Sequence, residues 1–183
     1  MSRAPYLPNS GEFSSLPAWD RCYWLSRSYI EASSHLCTSM LNSEYSNQYS
    51  SSRVVLHLAR QGLELFLKAS ILAATGLTEL PGHNLVHLLK SYRRYYPGDE
   101  FYLIVPARFA LREDDDLFQR ELDVFHSTLD QRYRYPVDRK GKDFAVREIF
   151  DPREFLREID ELSSNLVLIE FSEIRPRVKD VIG

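Results

Sequence analysis

The sequence predicts an all-α, single-domain helical bundle of about five helices, and three observations predict it. The 183 residues are 44% hydrophobic and 27% charged, the makeup of one compact domain with its own core. Only 7 Gly and 9 Pro punctuate the chain, too few for an architecture of many hairpins. The apolar residues recur at helical spacing over long stretches. The bundle should span residues 14–175, with 1–13 as an N-terminal extension, 176–183 as a charged tail, and room for a short β-hairpin after Pro136.

The first helix starts at Ser14 or Ser15, takes Pro17 into its first turn, where a missing N–H costs nothing, and runs to about residue 44. Trp19, Tyr23, Ile30, Cys37, Met40 and Leu41 share a face with Ser26 and Ser33, small residues that let a neighbour come close. Cys22 and Cys37 lack CxxC spacing and read as small hydrophobes on this helix. After a Ser-rich connection, a second helix spans residues 51–75 and stops at Gly76. Val54, Val55, Leu58, Ala59, Leu65, Phe66, Ala69 and Leu72 give it a broad apolar face flanked by Leu56, Leu63 and Leu67, so it should lie central.

A third helix, residues 83–96, closes at Pro97-Gly98, and residues 101–105 are extended. A fourth opens at the acidic run 113–116, buries Phe118, Leu122, Phe125, Leu129 and Tyr133, and ends before Pro136. Residues 133–137 and 144–150 flank the turn-like Asp138-Arg-Lys-Gly-Lys as a hairpin. The last helix has Asp151 as N-cap, Pro152 at the first helical position and Glu154 at the third. Phe155, Ile159, Leu162, Leu166 and Ile169 form its stripe, which should fade near Arg175-Pro176.

A net charge of −3 supplies no general attraction for nucleic acid or an anionic membrane, so any anion-binding surface must be local. Of the 23 basic residues 18 are Arg, the side chain suited to bidentate phosphate contacts and to stacking. No apolar run approaches the roughly 18 residues of a membrane span, and residues 1–11 lack the apolar core of a signal peptide, so a cytoplasmic, reducing home is expected.

Two segments interleave aromatics with arginine: Tyr92-Arg93-Arg94-Tyr95-Tyr96 and Arg132-Tyr133-Arg134-Tyr135. Guanidinium groups hold phosphates while aromatic faces take bases, which makes Arg93, Arg94, Tyr95, Arg132, Arg134 and Tyr135 candidate RNA or nucleotide contacts. The plainer alternative is that the tyrosines pack and the arginines neutralise helix C-terminal carbonyls. The second helix also carries a polar stripe, Arg53, His57, Arg60, Gln61, Glu64 and Lys68, which is either a solvated edge or the lining of a cleft. Glu64 and Lys68 stand in the favourable order for an i,i+4 pair.

His83 and His87 are four apart, but Asn84 occupies the place of the HExxH glutamate and no third ligand stands out. His83 therefore reads as a residue that caps or packs at the helix start, and neither a metal nor a cofactor is expected. Nucleophile elbows, GxGxxG and GxxxxGK[ST] are absent from the sequence.

Ala59-Arg-Gln-Gly-Leu-Glu-Leu-Phe-Leu-Lys-Ala69, Gly76, Gly82-His-Asn-Leu-Val-His-Leu-Leu89 and Arg134-Tyr-Pro136 follow one another in an order that resembles the HEPN superfamily over about residues 53–136. The resemblance implies a small up-and-down bundle that usually forms a homodimer. It also implies RNA cleavage in toxin–antitoxin or antiviral defence systems, or nucleotide binding as the companion of a nucleotidyltransferase. The RNase branch carries Arg, four to six residues, then His, a spacing that Arg120-Glu-Leu-Asp-Val-Phe-His126 fits.

On that resemblance Arg120 and His126 would be the catalytic pair of a metal-independent endoribonuclease. His126 would move the proton and Arg120 would stabilise charge on the phosphate. Glu121 departs from the Asn, His or Asp usual after that Arg, and a straight helix would turn the two side chains about 120° apart. The alternative is a non-catalytic module that binds nucleotide or contacts a toxin-system partner such as a nucleotidyltransferase or cognate antitoxin.

Overall fold

In the computed structural model, which describes residues 10–77, 79, 81–109, 131–137, 140–143 and 149–182, Pro17 divides the first expected helix into α1 (Ser10–Ser15) and α2 (Ala18–Leu41). A proline disfavours helical geometry in the residue before it, so the chain breaks at Leu16. Pro17 then serves as N-cap, its carbonyl accepting from the amides of Asp20 and Arg21 at 3.0 and 3.1 Å. The helix thus begins after Pro17, and α1 occupies part of the expected extension.

α2 packs along α3 (Tyr49–Thr75) through small residues. Ser26 Oγ donates to the Gly62 carbonyl at 2.7 Å and Ser33 Oγ to the Val55 carbonyl at 2.9 Å, both from fully buried positions. A Cβ on Gly62 would stand 2.7 Å from Ile30 Cγ1 and 3.0 Å from the Ser26 carbonyl, so the contact requires the hydrogen that glycine has there. Cys22 and Cys37 lie buried on α2 as free thiols, and burial pushes Cys37 up to about 12.

α3 ends at Gly76, which caps it in the left-handed region at φ 65°. Its buried arc is wider than the expected face. Leu56, Leu63 and Leu67 are at most 2% exposed, whereas Val54 is 43% exposed, because α2, α4 (Leu85–Tyr95) and α5 (Pro152–Leu168) all pack on α3. The broad apolar face that the sequence shows on this helix is covered within the protein's own core, and the helix lies central as expected.

Asp151 Oδ1 accepts from the amides of Arg153 and Glu154 at 2.8 and 3.4 Å, capping α5 as expected. Phe155, Ile159, Leu162, Leu166 and Ile169 are all buried. Continuing the stripe at helical spacing would turn Glu173 inward. A π-helical turn over Ile169–Ile174 takes up one extra residue instead, so that Ile174 enters the core at 1% exposure. The chain then continues as α6 (Arg175–Ile182) rather than fading into a tail. Pro176 follows closely on the π turn, within a helical run that does not break.

The buried Glu170 receives Arg27 and Arg175, each at 2.7 Å, and Arg175 also pairs with Asp20, tying the π turn and α6 to α2.

The molecule is an all-α bundle, and the β content of the described residues is one antiparallel bridge, Val137 to Asp143, around Gly141 at φ 74°. Residues 144–148 of the expected hairpin lie outside the described residues. So does the expected fourth helix, except for residues 131–134, which are helical and carry Tyr133 edge-on against Phe109 at 6.3 Å. Among the described residues no helix is long and apolar enough to cross a membrane.

Candidate nucleic-acid interface

Of the two readings left open for the polar stripe of α3, a solvated edge does not hold for its second half. Arg60, Glu64 and Lys68 are 1%, 0% and 3% exposed. His83, just before α4, reaches this carboxylate. Glu64 Oε2 accepts from Arg60 at 3.0 Å, while Oε1 accepts from Lys68 at 2.9 Å and from His83 Nδ1 at 2.8 Å. Arg60 also donates to the His83 carbonyl at 3.1 Å, although its Nε is buried without a hydrogen-bond partner.

Burial alone would raise the Glu64 carboxyl. Lys68, His83 and Arg60 outweigh it and hold the carboxyl below its ordinary range. Two permanent cations thus share one buried carboxylate. The i,i+4 pair of Glu64 and Lys68 forms as expected, inside the protein rather than on it.

Latching His83 to α3 places the start of α4. Asn84, next in the chain, is its N-cap, and Asn84 Oδ1 accepts from the amides of Val86 and His87 at 3.0 and 3.2 Å. That is the physical role of the residue standing where a metalloprotease would have its glutamate. Among the described residues no group of three or more His, Cys, Asp or Glu is placed to hold a metal.

Leu85, Leu88, Leu89 and Tyr92 bury one side of α4, which turns His87, Lys90 and Arg94 outward at helical spacing, with Arg93 beside them. The helix contains no acidic residue. Among the described residues no carboxylate pairs with His87, Lys90 or Arg94. A chain of net charge −3 therefore presents a local cationic stripe.

At its C-terminal end the stripe meets a cleft of about 280 Å³ between α4 and the 3₁₀ turn Asp99–Phe101. Tyr92, Tyr96 and Phe101 give the cleft a buried aromatic wall, while Arg93 and the 73% exposed Tyr102 stand at its rim. The wall is rigid. Its rings continue a chain of aromatic contacts from Trp19 through Tyr23 and Phe66 to Tyr92, Tyr96 and Phe101, with centroids 4.9 to 6.2 Å apart.

Hydrogen bonds fix the same rings. Tyr96 donates to the Ser70 carbonyl and Tyr92 to the Phe101 carbonyl, each at 2.9 Å. Burial raises both phenols, Tyr96 to about 12, so both stay neutral donors. Beyond the 3₁₀ turn, Asn165 of α5 accepts from the Ile104 amide at 2.8 Å and donates to the Tyr102 carbonyl at 3.1 Å, which holds the Tyr102 backbone in place. At about 280 Å³ the space lies just below the usual range of ligand pockets, roughly 300 to 1,000 Å³.

Of the residues singled out from sequence, Arg93 lines this cleft and Arg94 lies on the stripe, while Tyr95 is exposed at the end of α4. Arg132, Arg134 and Tyr135 do not join them. Arg53 donates to the Tyr135 carbonyl at 2.7 Å and to the Tyr49 hydroxyl at 2.6 Å, which fastens the second Arg-Tyr segment to the start of α3. Tyr92 and Tyr96 pack at Phe66 and Ser70, and the helical rise from Arg53 to Phe66 is about 20 Å.

His57 is half-buried on the stripe between Arg53 and Arg60. Arg120 and His126 lie outside the described residues. Lys90, Phe101 and Tyr102 were missed. Lys90 was legible in the spacing of His87, Lys90 and Arg94 without an intervening acid, whereas the cleft depends on a turn that periodicity does not reveal. No protein-family model, curated protein or solved structure matches this chain.

Proposed function

We propose that the protein binds single-stranded RNA or nucleotides, with a base in the aromatic cleft and phosphates along the outer face of α4. The observation that carries this reading is the stripe of His87 and the basic Lys90 and Arg94 running into a cleft walled by Tyr92, Tyr96 and Phe101. Stacking supplies sequence-tolerant affinity, and guanidinium and ammonium groups supply the salt-dependent part. The HEPN resemblance points to the same ligand class.

Titration of a short labelled single-stranded RNA tests the reading directly. Replacing Tyr102 by Ala should weaken binding by about tenfold, the worth of one stacked base. Equal affinity of wild type and Tyr102→Ala protein would exclude the cleft. Cleavage in a homodimer of a toxin or defence system, by Arg120 and His126, is the catalytic extension of the proposal. The same RNA incubated with excess chelator should be cut by wild type and left intact by Arg120→Ala and His126→Ala protein. RNA left intact by wild type as well reduces the function to binding.

A further inference from the structure

The second Arg-Tyr segment, which takes no part in the cleft, builds an arrangement of its own near the start of α3. Arg53, half-buried there, directs two guanidinium donors at neutral acceptors: Nη1 at the Tyr49 hydroxyl, 2.6 Å away, and Nη2 at the Tyr135 carbonyl, 2.7 Å away. The same guanidinium lies 5.2 Å from the centroid of the Tyr49 ring. The Tyr135 backbone is also held from its own side, its amide donating to the Gln131 carbonyl at 2.8 Å. Arg53 is therefore a cation fixed in place.

Its charge is unanswered. Arg27, Arg60, Arg108, Arg175 and Arg177 each pair with a carboxylate, whereas among the described residues none pairs with Arg53, and the first turn of α3 holds no acid. Beside this guanidinium stand two aromatic side chains that the fold leaves in water, Tyr49 at 59% and Tyr135 at 54% exposure.

We infer that Arg53, Tyr49 and Tyr135 form a second contact for single-stranded RNA, in which Arg53 takes a phosphate and the two rings take the bases on either side of it. The inference rests on the reading of the protein as a binder of RNA or nucleotides and narrows it: the ligand is a strand, not a mononucleotide. The chemistry is that of sequence-tolerant single-strand sites, where aromatic faces stack bases and arginine holds the backbone between them. Holding the guanidinium with neutral acceptors suits that use, because the long side chain is ordered before the ligand arrives and its positive charge stays whole. The cleft lies about 20 Å away along α3, by the helical rise from Arg53 to Phe66, where Tyr92 packs. One mononucleotide does not reach both places. A strand of several nucleotides does, and its second contact forms at the effective concentration set by the first.

Fluorescence anisotropy of the full chain with a labelled oligouridylate of about sixteen nucleotides tests this. The Tyr49→Ala, Tyr135→Ala double variant should bind about tenfold more weakly for each base that loses its platform. Both rings are exposed, so its circular dichroism should match wild type. Arg53→Gln should make the slope of log affinity against log salt shallower by about 0.7, the share of one single-strand phosphate. A photoreactive thiouridine in the same RNA should cross-link to Tyr49 or Tyr135 of wild type. If the double variant binds as wild type does and no cross-link forms there, the second contact is wrong, while a loss on Tyr102→Ala still supports the cleft. If the double variant is weakened and Tyr102→Ala is not, the second contact stands and the cleft reading falls. If wild type binds no RNA, both fall together.

Discussion

His83 Nδ1 lies 2.8 Å from Glu64 Oε1, so an exposed histidine of the loop after α3 is fastened to a carboxylate with no exposure at all. Through this contact, and through the Arg60 bond to its carbonyl, His83 is fixed at the start of α4 beside the buried Arg60 and Lys68. Replacing Glu64 by Gln should cost about 3 to 5 kcal/mol, because two buried cations lose their counter-charge. Replacing His83 by Ala should cost about 1 kcal/mol, since one hydrogen bond goes and no buried charge is stranded. Urea denaturation of the two variants checks the order.

The depressed Glu64 carboxyl makes stability depend on pH in a defined direction. A group whose folded value lies below its unfolded one stabilises fully above the unfolded value, here 4.5, and loses that contribution as pH falls below it. The urea midpoint of wild type should therefore drop between neutral pH and about pH 3 more steeply than that of Glu64→Gln protein. Parallel curves would show that Glu64 carries no such charge.

Gly62→Ala is a third test, of the way α2 packs on α3. Helix propensity alone would favour alanine by about 0.5 to 1 kcal/mol. The new methyl would meet Ile30 at 2.7 Å and the Ser26 carbonyl at 3.0 Å, and the carbonyl belongs to a packed backbone. The net effect should be a loss of about 1 to 3 kcal/mol, read from the thermal midpoint. A gain in stability would mean that the helices part without cost.

Which parts of the structure were legible follows from how local their causes are. The cap at Asp151 and the stop at Gly76 depend on a few consecutive residues, and both form where the sequence places them. The start of the first long helix was misplaced because the proline's effect on the preceding residue outweighs its tolerance in a first turn. The fate of the α3 stripe was not legible: Arg60, Glu64 and Lys68 keep one spacing whether they face water or lie buried, and only tertiary packing decides. The same limit hid the cleft, whose walls come from α4 and the irregular turn that follows it. The π turn did leave a trace, Ile169 and Ile174 being five apart, but its purpose is visible only once Glu170 is seen between Arg27 and Arg175.

The measurement closest to the central claim is the salt dependence of single-stranded RNA binding by wild type and by a Lys90→Ala, Arg94→Ala double variant, followed by fluorescence anisotropy. Both side chains are exposed, so the fold should be unchanged by circular dichroism. The account predicts weaker binding by the variant and a slope of log affinity against log salt that is shallower by about 1.4, at roughly 0.7 for each single-strand phosphate that the variant no longer neutralises. Equal affinity and slope for the two proteins, or no RNA binding by wild type at low salt, would contradict it.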